Sequence, residues 1–149
     1  MKQKKKNKPN YFAQAIQRSG TDFIDNTNIQ QLQNDAPKIL RELARGNIDP
    51  NQYYNYLAND RLAYVLSNEA YQNLIHYNEI YYSLWFRVDY LQRNNQPLSQ
   101  YLVQLMQEYS WKTRVYDIIY SHIEAFRATK DISHIISMVS KISYYTRYI

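Results

Sequence analysis

Two matched runs of apolar residues constrain this chain more than any other feature. Ala63, Ser67, Ala70, Leu74, Tyr77, Tyr81, Leu84, Val88 and Leu91 follow one another at alternating spacings of 4 and 3 residues. Such alternation puts every member on one stripe of an α-helix, and its persistence over roughly four heptads is the pattern of a helix packed lengthwise on another. Leu66, Ile75, Ile80 and Trp85 would widen the stripe into the broad apolar face of a bundle helix. After Asn94-Asn95-Gln96-Pro97, the alternation resumes at Leu98, Leu102, Leu105, Tyr109, Lys112, Tyr116, Ile119, Ile123 and Phe126. Seams of equal length joined by so short a turn predict an antiparallel helical hairpin over Ala63–Phe126, each arm on the order of 40–45 Å long. Ser67 is a cap-forming residue inside the first seam, so a break or kink near it is expected.

The flanking segments read as shorter helices. Asn10 can cap a turn carrying Tyr11, Phe12, Ala15 and Ile16, stopped at Ser19-Gly20. Thr21–Asn34 is polar and reads as irregular. Asp35 is placed to cap a helix with Pro37 in its first turn and Ile39, Leu40 and Leu43 as its buried stripe, ending at Gly46. Asp49-Pro50 opens another, with Tyr53, Tyr54 and Leu57. Asp131 begins a last helix with Ile132, Ile135, Val139 and Ile142 at helical spacing, expected to fill the groove of the hairpin. No segment alternates with period two. The predicted fold is all-α: a three- to four-helix bundle around the hairpin, with short N-terminal helices, one domain over residues 11–149, and a basic arm over residues 1–10.

Composition excludes several classes of chemistry. The 149 residues include only two glycines, Gly20 and Gly46, and no cysteine. Phosphate-cradling loops and dinucleotide folds need clustered glycines, and disulfides, thiol catalysis and Cys-zinc sites need cysteine. The histidines, His76, His122 and His134, form no Glu-x-x-His pairs of the kind a di-iron bundle requires. Asp131 and His134 match that spacing once, but Asp131 serves better as a helix cap. The serines show neither a nucleophile elbow nor a base partner. No catalytic residue, metal site, cofactor or small-molecule substrate is expected.

Charge is concentrated. Net charge is +5, yet Lys2, Lys4, Lys5, Lys6 and Lys8 all precede Pro9, and the other 13 Lys and Arg residues match 13 Asp and Glu. The arm is therefore the expected polyanion- or partner-binding element, while the body is formally neutral. A helix–turn–helix over Asp35–Leu66 is rejected, since Gln52–Leu57 offers no Lys or Arg to phosphates. No apolar run reaches the ~20 residues that cross a bilayer, and the lysine-rich start leads into no signal-like apolar stretch. An intracellular location, in host cytoplasm or within a virus particle, is expected.

Tyrosine is the abundant residue, with 17 copies. Tyr53, Tyr56, Tyr64, Tyr71 and Tyr82 fall off the seams, and Tyr144, Tyr145 and Tyr148 crowd the last residues. Large amphipathic rings in such positions suit a protein interface. Lys112, the one charge in the second seam, should meet Glu79 across the hairpin among Tyr77, Tyr81, Tyr109 and Tyr116, as a device that sets register. Together these features point to a non-enzymatic structural or assembly subunit of a larger complex. The Asn-, Gln-, Tyr-, Lys- and Ile-rich composition makes a bacteriophage virion component its most specific form. The alternative is a nucleic-acid-binding accessory protein that uses the lysine arm.

Overall fold

A computed structural model of the protein describes residues 29–45 and 49–146. The regular elements among the described residues are all helical: α1 (Ile29–Ala44), α2 (Pro50–Leu57), α3 (Asp60–Arg93), α4 (Gln100–Thr129) and α5 (Ser133–Thr146). None is long and apolar enough to cross a membrane. The expected arm and the helix around Tyr11–Ile16 lie outside the described residues.

The long elements owe their limits to identifiable caps. Asn59 starts α3 by accepting from the N–H groups of Arg61 and Leu62 at 3.0 and 3.3 Å, with Asp60 in the first turn complementing the helix dipole. Asn94 ends it, and Asn95 turns the chain at φ 53°, a left-handed conformation that asparagine tolerates better than most residues. Ser99 then caps α4 by accepting from Leu102 N–H at 3.0 Å. Lys130 closes α4 in the left-handed conformation, and Asp131 accepts from Ser133 N–H at 2.9 Å at the start of α5. Ser67 makes no break: α3 runs through it without interruption for 34 residues. Its hydroxyl donates to the Glu124 carboxylate on α4 instead of to its own backbone, so it does not compete with the helix.

The contacts between α3 and α4 fall in descending order. Asp60 pairs with Arg127, Ser67 with Glu124, Tyr71 with Tyr120, and Tyr77 with both Tyr116 and Tyr109.

The core gathers at one end of this pair. α1 supplies Ile39, Leu40 and Leu43; α2 supplies Tyr53 and Leu57; α5 supplies Ile135, Met138 and Ile142. They close over Leu62–Ala70 of α3 and Val115–Phe126 of α4, with Tyr54 edge-on to Phe126 at 5.7 Å. Each fully buried aliphatic or aromatic side chain contributes about 1.5–3 kcal/mol of transfer free energy. α5 packs chiefly against α4 and α2 rather than filling the groove between α3 and α4. Ile118 and His122, which stand off the α4 seam, line a cleft with Lys141 and Tyr145 of α5, a contact the seam alone does not reveal.

α1 begins earlier than expected. Asp35 is not its cap but a buried residue in mid-helix, and Pro37 stands inside the helix. Proline there removes the hydrogen bond to the Gln33 carbonyl, a cost of about 3 kcal/mol in an open helix. Burial of Ala36, Ile39, Leu40 and Leu43 offsets it.

Candidate functional site

Coverage of α3 and α4 stops part-way along their length. Beyond Ala70 the only buried residue of α3 is Val88, and α4 buries none before Val115. Among the described residues the turn-proximal halves have only each other to pack against, and aromatic residues there are open to solvent. Phe86, Tyr90 and Tyr101 are 63%, 64% and 72% exposed. Trp85 stands edge-on to Phe86 at 5.2 Å, and Tyr81 to Tyr82 at 5.6 Å, so the rings are ordered against one another. An apolar surface of this extent is characteristic of protein contact sites. Ile75 and Trp85 do not widen the buried seam; both are exposed, because no helix among the described residues covers the flank on which they stand.

Where coverage ends, Lys112 sits among tyrosines. Tyr77 stacks on Tyr116 at 5.5 Å and tilts against Tyr109 at 5.8 Å. The Lys112 ammonium lies 5.0 Å from the Tyr109 ring centre and 5.5 Å from that of Tyr77. It pairs with Glu108 at 2.8 Å, one turn back on its own helix, rather than with Glu79. Glu79 lies level with it but points outward, whereas a glutamate four residues away reaches without crossing. Burial pulls the ammonium pKa down, but the hydrogen bond and charge of Glu108 outweigh it and leave the pKa raised, so Lys112 is cationic. Burial pushes the Tyr116 phenol up to about 12. Arg41, Arg45, Lys112, Tyr77 and Tyr116 line a cleft of about 260 Å³ beside α1. Its chemistry suits holding a carboxylate or a flat ring.

Two polar clusters complete the surface. Glu124 accepts from Ser67 and from Arg127 Nη1 at 3.0 Å, while Arg127 Nε donates to Asp60 at 3.1 Å and its guanidinium lies over Tyr64 at 5.2 Å. The Ser67 hydrogen bond, foremost, holds the Glu124 carboxyl below its ordinary pKa, and the Arg127 hydrogen bond does the same for Asp60. Farther along α4, His122 Nδ1 donates to the Ile118 carbonyl at 2.8 Å. Nε2 is then the acceptor, with Lys141 Nζ at 3.1 Å and Ser137 Oγ at 3.5 Å. Burial is the main reason the imidazole pKa is lowered, so His122 is neutral at pH 7.

A serine beside a neutral imidazole resembles half of a nucleophilic pair. Here the lysine is the nearer donor and occupies the lone pair that a base would need. Ser137 also lies inside α5, where backbone N–H groups are engaged in the helix and unavailable to an oxyanion. The pair escaped sequence reading because 15 residues separate its members on different helices.

The predicted interface tyrosines divide. Tyr64, Tyr71, Tyr82 and Tyr144 are exposed, and Tyr145 is half-buried against the core. Tyr53 is no interface residue: it is fully buried, because the one apolar face of the short α2 must close the core. The Tyr56 side chain, Tyr148 and the lysines at 2, 4, 5, 6 and 8 lie outside the described residues. No protein-family model, curated protein or solved structure matches this chain.

Proposed function

We propose that this protein is a non-enzymatic structural or assembly subunit, an antiparallel helical hairpin that holds protein neighbours along its uncovered aromatic half. The observation that carries this reading is the exposed group of Tyr82, Trp85, Phe86, Tyr90 and Tyr101 on a pair of helices otherwise well packed at one end. Rings of this kind lose little conformational entropy on contact and dominate binding energy where they are buried. Lys2, Lys4, Lys5, Lys6 and Lys8 form a second contact element, reaching an acidic protein surface or nucleic acid. A bacteriophage virion is the proposed setting, motivated by composition.

Recovery of the full-length chain from its source at native abundance tests the reading. The expected result is stoichiometric co-purification in a particle far larger than the chain. A monodisperse free monomer with no partner overturns it. The second reading, a nucleic-acid-binding accessory protein, is favoured by the lysine cluster. It requires that deleting residues 1–8 abolish an affinity for nucleic acid that falls with salt at a log–log slope of about −0.9 per phosphate neutralised.

A further inference from the structure

The exposed flank of α3 carries a heptad pattern of its own. Tyr64, Asn68, Tyr71, Ile75, Asn78 and Tyr82 are spaced by 4, 3, 4, 3 and 4 residues, and Trp85 and Asp89 continue the alternation. Each stands one residue after a member of the seam that faces α4, or after the point where that seam would continue, so the stripe is turned by about 100° around the helix. α1 packs chiefly on α3 and with it lines the cleft at Tyr77, Lys112 and Val115, and α5 packs on α4. Among the described residues the flank touches α4 only where Tyr71 tilts on Tyr120 and Arg127 lies over Tyr64. Tyr64, Tyr71, Ile75, Tyr82 and Trp85 accordingly remain between 39% and 55% exposed.

A 4–3 stripe is the surface along which a further helix packs knobs into holes. We infer that its occupant is α3 of a second copy of this chain, running antiparallel across a two-fold axis. The inference rests on the assembly role proposed above and names the first partner in it.

The asparagines select the register, and the charged residues select the orientation. Placing Asn68 opposite the partner's Asn78, and by symmetry the reverse, lets each amide donate to and accept from another amide. The same register sets Tyr64 against the partner's Tyr82, Tyr71 against the partner's Ile75, and Arg61 against the partner's Trp85, a cation over an indole face. A slip of one heptad sets Asn68 against a tryptophan or a tyrosine, leaving a polar group facing a ring. A parallel pairing in register would oppose Arg61 to Arg61 and Asp89 to Asp89, like against like.

The area is adequate. At ~150–250 Å² per ring, the exposed halves of four aromatics supply on the order of 400 Å² from each copy. Both copies together approach the ~1,000 Å² that a specific interface should exceed, and Arg61, Asn68, Ile75 and Asn78 provide the remainder.

The natural chain has no cysteine, so introduced ones report directly. Full-length Asn68→Cys and Asn78→Cys variants, mixed and gently oxidised, should cross-link to each other at least about tenfold faster than either does alone, since a disulfide needs Cα atoms ~4.4–6.8 Å apart. Equal linking of Asn68→Cys with itself, or no linking in the mixture, overturns the inference. Sedimentation should give a dimer mass for the natural chain, with Tyr82→Glu/Trp85→Glu raising Kd by roughly 100-fold or more while helicity is retained. A natural chain that stays monomeric at ~100 µM overturns the inference even if it is recovered in a large particle; that result leaves the assembly role standing. A dimer found in no larger particle does the reverse.

Discussion

Ser67 on α3 donates its hydroxyl to Glu124 on α4, and this one bond joins the two long helices within the core-forming stretch of each. Ser67 is buried while Glu124 is partly open and also holds Arg127. Hydrogen bonds to charged groups are worth about 1.5–3 kcal/mol when enclosed, and solvent at Glu124 reduces that. Ser67→Ala should therefore lower unfolding free energy by about 1 kcal/mol in a urea titration. A double-mutant cycle with Glu124→Gln should recover most of that as coupling.

Acid should destabilise the protein in two stages. Burial lowers the His122 pKa below its unfolded value, so the folded state resists protonation there. The stability this group contributes is complete above the unfolded pKa of about 6.5 and is lost as pH falls from there toward the folded value. Glu124 and Asp60 are also lowered, by hydrogen bonds from Ser67 and Arg127. Their contribution is present above the ordinary carboxylate range, about 4, and is lost as pH falls through it toward the folded values. Thermal melts across pH 3–8 should show both declines, and His122→Gln should remove the upper one alone.

Pro37 tests where α1 begins. In mid-helix it deprives the Gln33 carbonyl of its partner, so Pro37→Ala should stabilise the protein by about 1–2 kcal/mol. Were Asp35 the cap, Pro37 would occupy the first turn, where proline is favoured, and the change would be neutral or harmful. Chemical denaturation distinguishes the two.

Stability should be graded along the hairpin. Leu66 is fully buried, and Leu66→Ala should cost about 2–5 kcal/mol. Phe86 is exposed, and Phe86→Ala should fall within about 0.5 kcal/mol of the natural chain. Amide hydrogen exchange should be fast near Asn95 and slow around Leu66 and Ile123.

The helical class, the turn at Asn94–Pro97 and the capping role of Asp131 could be read from residue order, because spacing and caps are local properties. Partners on other helices could not. The 4–3 spacing marks which side of α3 is apolar but not how far a third helix covers it, so Ile75 and Trp85 read as core when they are surface. Tyr53 was misread in the opposite direction, since its burial depends on where a short helix lands. The level of Lys112 along the hairpin was legible; its choice of Glu108 over Glu79 depended on which way a side chain points. The Tyr64, Tyr71 and Tyr82 flank was visible as residues standing off the seam, and its repeat became meaningful once those positions proved exposed together.

α5 spans 14 residues and α4 spans 30, so the enclosed end of the hairpin is anchored well short of its turn. Deleting one heptad from each arm, symmetrically about Asn95, would draw the tip back by about 10 Å without removing a contact from the enclosed end. Reach is therefore a quantity that mutation can adjust in whole-heptad steps, independently of whether the chain folds. In a helical pair built this way, length is set at one end and anchorage at the other.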